Sequence, residues 1–151
     1  MRCLGRMGPM PEWSASSRKK LDGVHPELRT LFDRVVQFYD CQVLEGERSF
    51  EQQQANVQAH VSETMDSKHL KRPAEAVDVA PYPVVWPKAG TPGYHKDLGR
   101  FYYFGGFVLG LAQAMRIPLR WGGDWDSDRD VKDQSFDDLV HFELMPHTGP
   151  F

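Results

Sequence analysis

A stripe of apolar side chains at helical spacing limits the folds open to this chain more than any other feature. The stripe covers one face of a helix of roughly four turns, and Pro26 precedes it at a position that suits a first helical turn. Its members are Leu28, Leu31, Phe32, Val35, Val36 and Tyr39. Because an apolar helix face is stable only when it packs against another element, the chain needs a second layer of structure.

Four short apolar segments are predicted to supply that layer as β-strands. Pro81, Pro83 and Pro87 exclude a helix directly after the second of them. The segments lie at residues 41–45, 76–80, 119–121 and 139–144. We therefore predict the fold class α+β, in which helices pack on a small antiparallel sheet within a single domain.

Two further helices are predicted between these strands. Ser49 is typical of a helix N-cap and opens a polar helix that runs to about Ala59. A second apolar helix is predicted from about Asp97 to Met115. Three glycines in this helix lower its helical propensity and indicate close backbone packing, namely Gly105, Gly106 and Gly110.

The N-terminal residues are expected to contribute little to the fold. Residues 11–24 are mostly polar and are interpreted as a lead-in. We expect residues 1–12 to be poorly structured and a single domain to span residues 13–151. The charged N-terminus is not followed by an apolar segment, so we expect no signal peptide and synthesis in the cytoplasm.

Composition excludes several classes of function. The chain has 151 residues, of which 40% are hydrophobic and 26% charged, as in an ordinary globular domain. Its 18 basic and 21 acidic residues give a net charge of −3, which argues against a nucleic-acid partner. The longest apolar run is too short to span a bilayer, which needs about 20 residues. Cys3 and Cys41 are too few for a disulfide framework. We expect a monomer without a membrane partner.

Three residues of metal-ligating type stand in separate segments of the chain: His69, Asp78 and His141. Catalytic zinc takes three ligands of these types and leaves a fourth position for water. A single histidine is more often a surface or hydrogen-bonded residue than a ligand. Asp78 and His141, however, lie inside apolar strand segments, where a carboxylate must be solvated, paired or bound to a metal. The plainer alternative is an open, solvated sheet face.

Asp138 is a candidate general base because it precedes His141 by three residues. Positions three apart on a regular strand face opposite sides of the sheet, so Asp138 needs a turn or a bulge to share the site. The same alternation places His141 on one face with Leu139 and Glu143. A carboxylate beside a zinc-bound water is the usual base in zinc hydrolases.

Four motifs follow one another along the chain: Ser67-Lys68-His69, Ala76-Val77-Asp78, Trp121-Gly122-Gly123-Asp124-Trp125 and Asp138-Leu139-Val140-His141-Phe142-Glu143-Leu144. In this order they resemble the zinc peptidases of peptidoglycan. That group contains the vancomycin-resistance D,D-carboxypeptidases and the phage L-alanyl-D-glutamate endopeptidases used as endolysins. The resemblance extends from about residue 13 to residue 145 and is closest to the phage enzymes. It implies the hedgehog/D-Ala-D-Ala peptidase-like fold.

The resemblance also implies roles for individual residues. His69, Asp78 and His141 match the residues that bind one zinc ion, and Asp138 matches the general base. Arg48 matches an arginine that would stabilise the developing oxyanion or hold a substrate carboxylate. A guanidinium suits both tasks because it is a permanent charge with paired donors.

Ser67 and Trp125 are expected beside the substrate and the metal. The chain departs from the family at one point, because Asp78 follows His69 by nine residues rather than seven and no glycine lies between them. We interpret the difference as a two-residue loop insertion, with Glu75 as the alternative ligand. Trp125 and two other tryptophans either line a sugar-peptide groove or pack in the core; the other two are Trp86 and Trp121.

An acidic loop precedes Asp138 and suggests a calcium site. Asp126, Asp128, Asp130 and Asp137 match the acidic positions 1, 3, 5 and 12 of a calcium loop. Position 6 lacks the usual glycine, and position 12 is Asp rather than Glu, so a helix-flanked EF-hand is not expected. Some relatives are thought to use acidic residues here for calcium-dependent regulation. A solvated acidic loop is the alternative.

Together these features predict a zinc-dependent phage endolysin that cleaves the L-Ala–D-Glu bond of the peptidoglycan stem peptide. It would reach the wall from the host cytoplasm through a holin-type pore. A D,D- or L,D-carboxypeptidase that trims stem peptides is the first alternative. A catalytically dead, zinc-stabilised wall-binding module is the second.

Overall fold

A computed structural model describes residues 9–60 and 65–148. Its strands are β1 (Cys41–Glu45), β2 (Ala76–Pro81), β3 (Leu119–Gly122) and β4 (Asp138–Leu144). Its helices are α1 (Ala15–Leu21), α2 (Pro26–Phe38), α3 (Phe50–Gln58) and α4 (Tyr94–Ala114), with a short 3-10 helix at Lys68–Leu70. Within the described ranges, no helix is both long enough and apolar enough to cross a membrane.

The four strands form one sheet in the order β1-β2-β4-β3, and each neighbouring pair is antiparallel. Both central strands therefore have neighbours on two sides. Side chains alternate between the two faces of each strand. One face packs against helices and the other carries the polar residues described below. The predicted α+β class with a small antiparallel sheet is confirmed.

The core lies between α2, α4 and the apolar face of the sheet. Phe142 of β4 packs edge-to-face on Phe32 and Phe104, with ring centroids 5.3 and 6.0 Å away. Helix α4 also packs against Trp121 of β3. This contact requires Gly105, because a Cβ atom there would lie 2.4 Å from the Trp121 ring. Gly106 and Gly110 have open space around them, so the prediction of close packing holds for Gly105 alone among the three.

The prediction that residues 11–24 form a mere lead-in was wrong. Ser14 caps α1 by accepting a hydrogen bond from the backbone N–H of Ser17. Trp13 is buried and donates from Nε1 to Asp33 at 2.8 Å, and Leu21 joins the core. The helix has seven residues and few apolar side chains, so its periodicity is too short to detect in sequence. The expectations for residues 1–8, and for Cys3 among them, lie outside the described residues.

The other predicted helices occur close to their expected positions. His25 caps α2 by accepting from Glu27 N at 3.2 Å, and Pro26 stands in the first turn. Ser49 caps α3 by accepting from Gln52 N at 3.1 Å. The long apolar helix α4 begins at Tyr94, three residues earlier than predicted.

A bulge at the start of β4 has the largest consequence for function. Trp121 of β3 pairs with Phe142, whereas the next residue, Gly122, pairs with Asp138. The pairing thus advances by four positions on β4 for one position on β3. Gly122 is required here, because a Cβ atom would lie 2.2 Å from the carbonyl oxygen of Asp138. The bulge also turns Leu139 towards the core, so it does not share a face with His141 as predicted.

Candidate metal centre

The sheet and the 3-10 helix bring His69, Asp78 and His141 together. Asp78 of β2 and His141 of β4 are direct partners across the sheet, and His69 lies above them. Asp78 Oδ1 is 3.2 Å from His69 Nε2 and 3.1 Å from His141 Nδ1, and the two nitrogens are 3.3 Å apart. Ligands around 2.0 Å from a tetrahedral metal lie about 3.3 Å apart. The three atoms therefore fit three corners of one coordination sphere.

A second hydrogen bond holds each imidazole in place. His69 donates from Nδ1 to the carbonyl oxygen of Gly46 at 2.7 Å, which leaves Nε2 as the lone-pair nitrogen. His141 donates from Nε2 to Glu143 Oε2 at 2.9 Å, which leaves Nδ1 free to bind. Metal-binding histidines typically have such partners, which fix the tautomer and the orientation of the ring. The arrangement is ready to bind a divalent metal.

The charges of the centre are strongly coupled. Burial favours the neutral form of Asp78, but the contacts of its carboxylate with His141 and His69 outweigh burial and lower the pKa of this carboxyl. Burial also opposes a charge on His141, whereas its hydrogen bonds to Asp78 and Glu143 raise the pKa to about 9. Without a metal, the site therefore takes up a proton in the place of a cation.

The spacing of nine residues between His69 and Asp78 does not keep their side chains apart. Ser67 caps the 3-10 helix by accepting from His69 N at 3.3 Å. Arg48 donates its backbone N–H to the carbonyl of His69 at 2.9 Å. Glu75, the alternative ligand, lies outside the cluster of metal-ligating atoms that the described residues form. Its side chain lines a cavity beside the site instead.

Asp138 stands where the bulge brings the start of β4 back to the polar site. Burial raises the pKa of its carboxyl, and repulsion by Asp78 raises it further. The positive charges of His141 and Arg48 act in the opposite direction. A carboxylate with a raised pKa beside a metal centre is suited to accept a proton. Sequence reasoning required a bulge here, and the strand register contains one.

Arg48 lies at the rim of the site and is held by two neighbours. Its Nε and Nη2 atoms donate to the carboxylate of Glu45, and Nη1 donates to Gln53. Three of the five guanidinium N–H donors are therefore used, and two remain. The charge of Arg48 acts on both Asp78 and Asp138. Nothing in the sequence indicated Glu45 and Gln53 as its partners.

Trp125 and Glu143 complete the surroundings of His141. The Trp125 ring lies 5.5 Å from the His141 ring and stacks on Phe136, and its Nε1 donates to the Phe136 carbonyl at 2.8 Å. Glu143 also pairs with Arg120 through Oε1. Strand alternation placed Glu143 on the face of His141, which was the available signal for its role. Trp121, by contrast, is buried in the core.

The acidic loop forms a second cluster of possible ligands, but from different residues than predicted. Carboxylate oxygens of Asp124, Asp126 and Asp128 lie within 4.8 Å of one another. Asp130 and Asp137 are outside this cluster, and their place in a calcium loop stays a prediction. Asp124 was missed. It is 5% exposed, and among the described residues its Oδ1 has no hydrogen-bond partner.

The fold and the site fit a metallopeptidase, because a buried His-Asp-His cluster that could hold a metal lies beside a further carboxylate. The sequence profile of the phage L-alanyl-D-glutamate peptidase family matches residues 11–145. The chain belongs to this family. It is 28% identical over 131 residues to the L-alanyl-D-glutamate peptidase of Escherichia phage T5, covering 82% of this chain and 88% of the relative.

A solved structure gives the same result. The Serratia marcescens L-Ala D-Glu endopeptidase ChiX superposes with a TM-score of 0.65 at 28% identity. The match covers 88% of this chain and 89% of ChiX. The family suggested by the four sequence motifs is thereby confirmed.

Proposed function

We propose that this protein is a zinc peptidase that hydrolyses the L-Ala–D-Glu bond of peptidoglycan stem peptides as a phage endolysin. The observation that carries the proposal is the convergence of His69, Asp78 and His141 within 3.3 Å in a chain of this family. Two imidazoles and one carboxylate form a donor set that catalytic zinc uses, with a fourth position left for water.

When bound, zinc supplies Lewis acidity that polarises the scissile carbonyl and lowers the pKa of a water molecule towards roughly 7. Asp138 accepts the proton of the attacking water and later delivers a proton to the leaving amine. Asp78 remains ionised at neutral pH because its pKa is lowered, and it therefore keeps its charge for the metal.

Arg48 supplies the positive charge for the developing oxyanion or for a substrate carboxylate. Its two remaining donors and its fixed position, held by Glu45 and Gln53, support this assignment. Ser67 positions a ligand of the metal centre, because its hydroxyl caps the 3-10 helix that carries His69. Trp125 borders the site through its ring contact with His141.

A calcium ion at Asp124, Asp126 and Asp128 is a second candidate cofactor. The buried Oδ1 atom of Asp124 favours it, because a buried carboxylate oxygen without a partner is costly and a hard cation would satisfy it. The two exposed carboxylates next to it supply further oxygen ligands.

The partner is the stem peptide of the wall, and the protein acts on it as a monomer. Release from the host cytoplasm through a holin-type pore would bring it to its substrate. Membership of a phage peptidase family supports this route.

The direct test is digestion of purified peptidoglycan by zinc-loaded protein, followed by mass spectrometry, with an EDTA-treated sample as control. Peptides that lack only L-Ala and carry a new amine on D-Glu are the expected product. Loss of terminal D-Ala alone would instead identify a carboxypeptidase. Retention of zinc without any released peptide would identify a wall-binding module.

A further inference from the structure

Two cavities border β4, one near each end of the strand, and their chemistry differs. The first lies at Asp138, Leu139 and Val140 and has a volume of about 220 Å³. The second lies at Glu143, Leu144 and Met145 and has a volume of about 680 Å³. His141, a residue of the metal centre, is between them along the strand. A peptide laid along β4 from one cavity to the other would cross the position of His141.

The cavity at Asp138 is mainly apolar and has an aromatic wall. Trp86 and Pro87 line it, and Trp86 is 58% exposed. The indole ring is nevertheless held in place, because it stacks on the buried ring of Phe101 at 5.4 Å and 20°. Arg100 of α4 donates to the carbonyl of Pro83 at 2.8 Å and anchors the same loop. An exposed but fixed indole is a typical contact surface for a ligand.

Carboxylates are the charged groups that line this first cavity, namely Asp137 and Asp138. They would repel an anionic group, and Asp138 already has a raised pKa because of burial and the repulsion by Asp78. The cavity therefore suits an uncharged residue.

The cavity at Glu143 is lined by charges of both signs. Most of these charges have partners within the protein: Glu143 pairs with Arg120 and Lys68, and Glu27 pairs with His147. Lys71 and Glu75 line the same cavity. Among the described residues, neither of their side chains has a hydrogen bond or ion pair. One cation and one anion are thus available to a ligand.

The two sides of the scissile bond differ in charge, as the two cavities do. On the amino-terminal side is L-Ala, which offers a methyl group and no charge. On the carboxy-terminal side are D-Glu and a diamino acid, which carry carboxylates and an ammonium group. The segment of β4 between the cavities spans about 10 Å, and three extended residues span about the same length.

We propose that the stem peptide lies along β4 with its alanyl residue against the Trp86 cavity and its charged residues in the cavity of Lys71 and Glu75. This direction rests on the proposed function. It makes Trp86 a residue that selects the alanyl side, and it makes Lys71 and Glu75 residues that select the charged third residue of the peptide.

Three soluble acyl-tripeptides test this direction. The parent is acyl-L-Ala-D-Glu-diaminopimelate, the second has Gly in place of L-Ala, and the third has norleucine in place of diaminopimelate. Zinc-loaded wild-type protein should cleave the parent best, with kcat/KM about fivefold lower for each altered peptide.

The variants should separate the two preferences. Trp86→Ala should raise KM for the parent about tenfold and abolish the preference for L-Ala over Gly, while the preference for diaminopimelate stays. Trp86→Phe should restore part of the loss. Lys71→Ala and Glu75→Ala should abolish the preference for diaminopimelate and leave the preference for L-Ala intact. The matched controls are Tyr103→Ala and Lys96→Ala. They change an exposed aromatic residue and an exposed lysine that line neither cavity.

Three outcomes would overturn the assignment. Exchanged effects, in which Trp86→Ala abolishes the diaminopimelate preference, would reverse the direction of the peptide. Unchanged preferences in every variant would remove both cavities from the substrate path. Wild-type protein that cleaves none of the peptides would refute the proposed function itself, and this direction with it.

Discussion

The two clusters of metal-type ligands in this protein are built in opposite ways. In the His69–Asp78–His141 cluster, the ligands come from two central strands and a short helix, and both histidines are less than 10% exposed. A further hydrogen bond orients each imidazole. In the cluster of Asp124, Asp126 and Asp128, the ligands come from one loop, and two of the three are exposed. Asp124 alone is buried there.

The difference shows how each cluster can be used. A centre on regular elements has its geometry before the metal arrives, so little ordering entropy is lost on binding and the metal can take part in chemistry. A loop of carboxylates must order around its ion, so affinity depends on loop conformation. We therefore expect substitutions in the first cluster to abolish activity and substitutions in the second to modulate it.

Asp78→Asn should have the largest effect. A neutral amide is a poor ligand and cannot balance the charge of the ion, so zinc content after dialysis should fall well below one ion per chain and peptidoglycan cleavage should fall to background. Elemental analysis measures the zinc content, and a turbidity assay measures the cleavage of peptidoglycan. Asp40→Asn, at an exposed aspartate, is the control. Full zinc occupancy in Asp78→Asn would contradict the proposed ligand set.

Asp138→Asn should separate catalysis from metal binding. In the proposed mechanism Asp138 transfers the proton and does not hold the ion, so zinc content should remain that of the wild type while kcat falls by about 10²–10⁴-fold. Elemental analysis of the zinc-loaded variant gives the zinc content, and its cleavage of the soluble tripeptide gives kcat. An active Asp138→Asn variant would exclude this residue as the base, and a loss of zinc would make it a ligand.

Protein without a metal in the His69–Asp78–His141 cluster should lose stability as pH rises. The raised pKa of His141 stabilises the folded state fully below the ordinary value of about 6.5, and this contribution is lost as pH rises through about 9. Asp78 and Glu143 remain ionised across this window, because both have lowered pKa values. The free energy of unfolding should thus fall by about 3 kcal/mol between pH 6 and pH 9.5.

Urea unfolding of EDTA-treated protein measures this loss. The zinc-loaded protein is the control, and its stability should change less, because the ion replaces the proton on the cluster. Equal pH dependence in both samples would show that His141 is not the group that titrates.

Asp124→Asn should have the smallest effect and should be visible only with calcium. The variant removes the buried charge of the second cluster, so calcium affinity should fall at least about tenfold while activity in EDTA-free, calcium-free buffer stays near that of the wild type. Isothermal titration measures the affinity. Asp130→Asn is the matched control, because Asp130 lies in the same loop but outside the cluster. Absence of heat at millimolar calcium in the wild type would refute the site.

The sequence predicted much of the fold because its signals are periodic and local. The stripe of α2, the N-cap Ser49, the first-turn Pro26 and the apolar strands all appear within a few positions of their predicted places. Helix α1 escaped prediction because seven residues carry too little periodicity, and its contacts, such as Trp13 with Asp33, are distant along the chain. The sequence did not indicate Asp124 as a member of the second cluster, because spacing alone does not show which carboxylates a loop turns inward.

The sequence by itself determined the residue types of the site and their order, since motifs around His69, Asp78 and His141 can be matched without coordinates. Tertiary structure decided how they meet. Strand register sets Asp78 opposite His141, and a bulge at Gly122 returns Asp138 to their side. It also decided that Trp86 faces a cavity while Trp121 is buried. The strand register and the burial of these tryptophans depend on contacts between residues far apart in the chain, which local propensity does not encode.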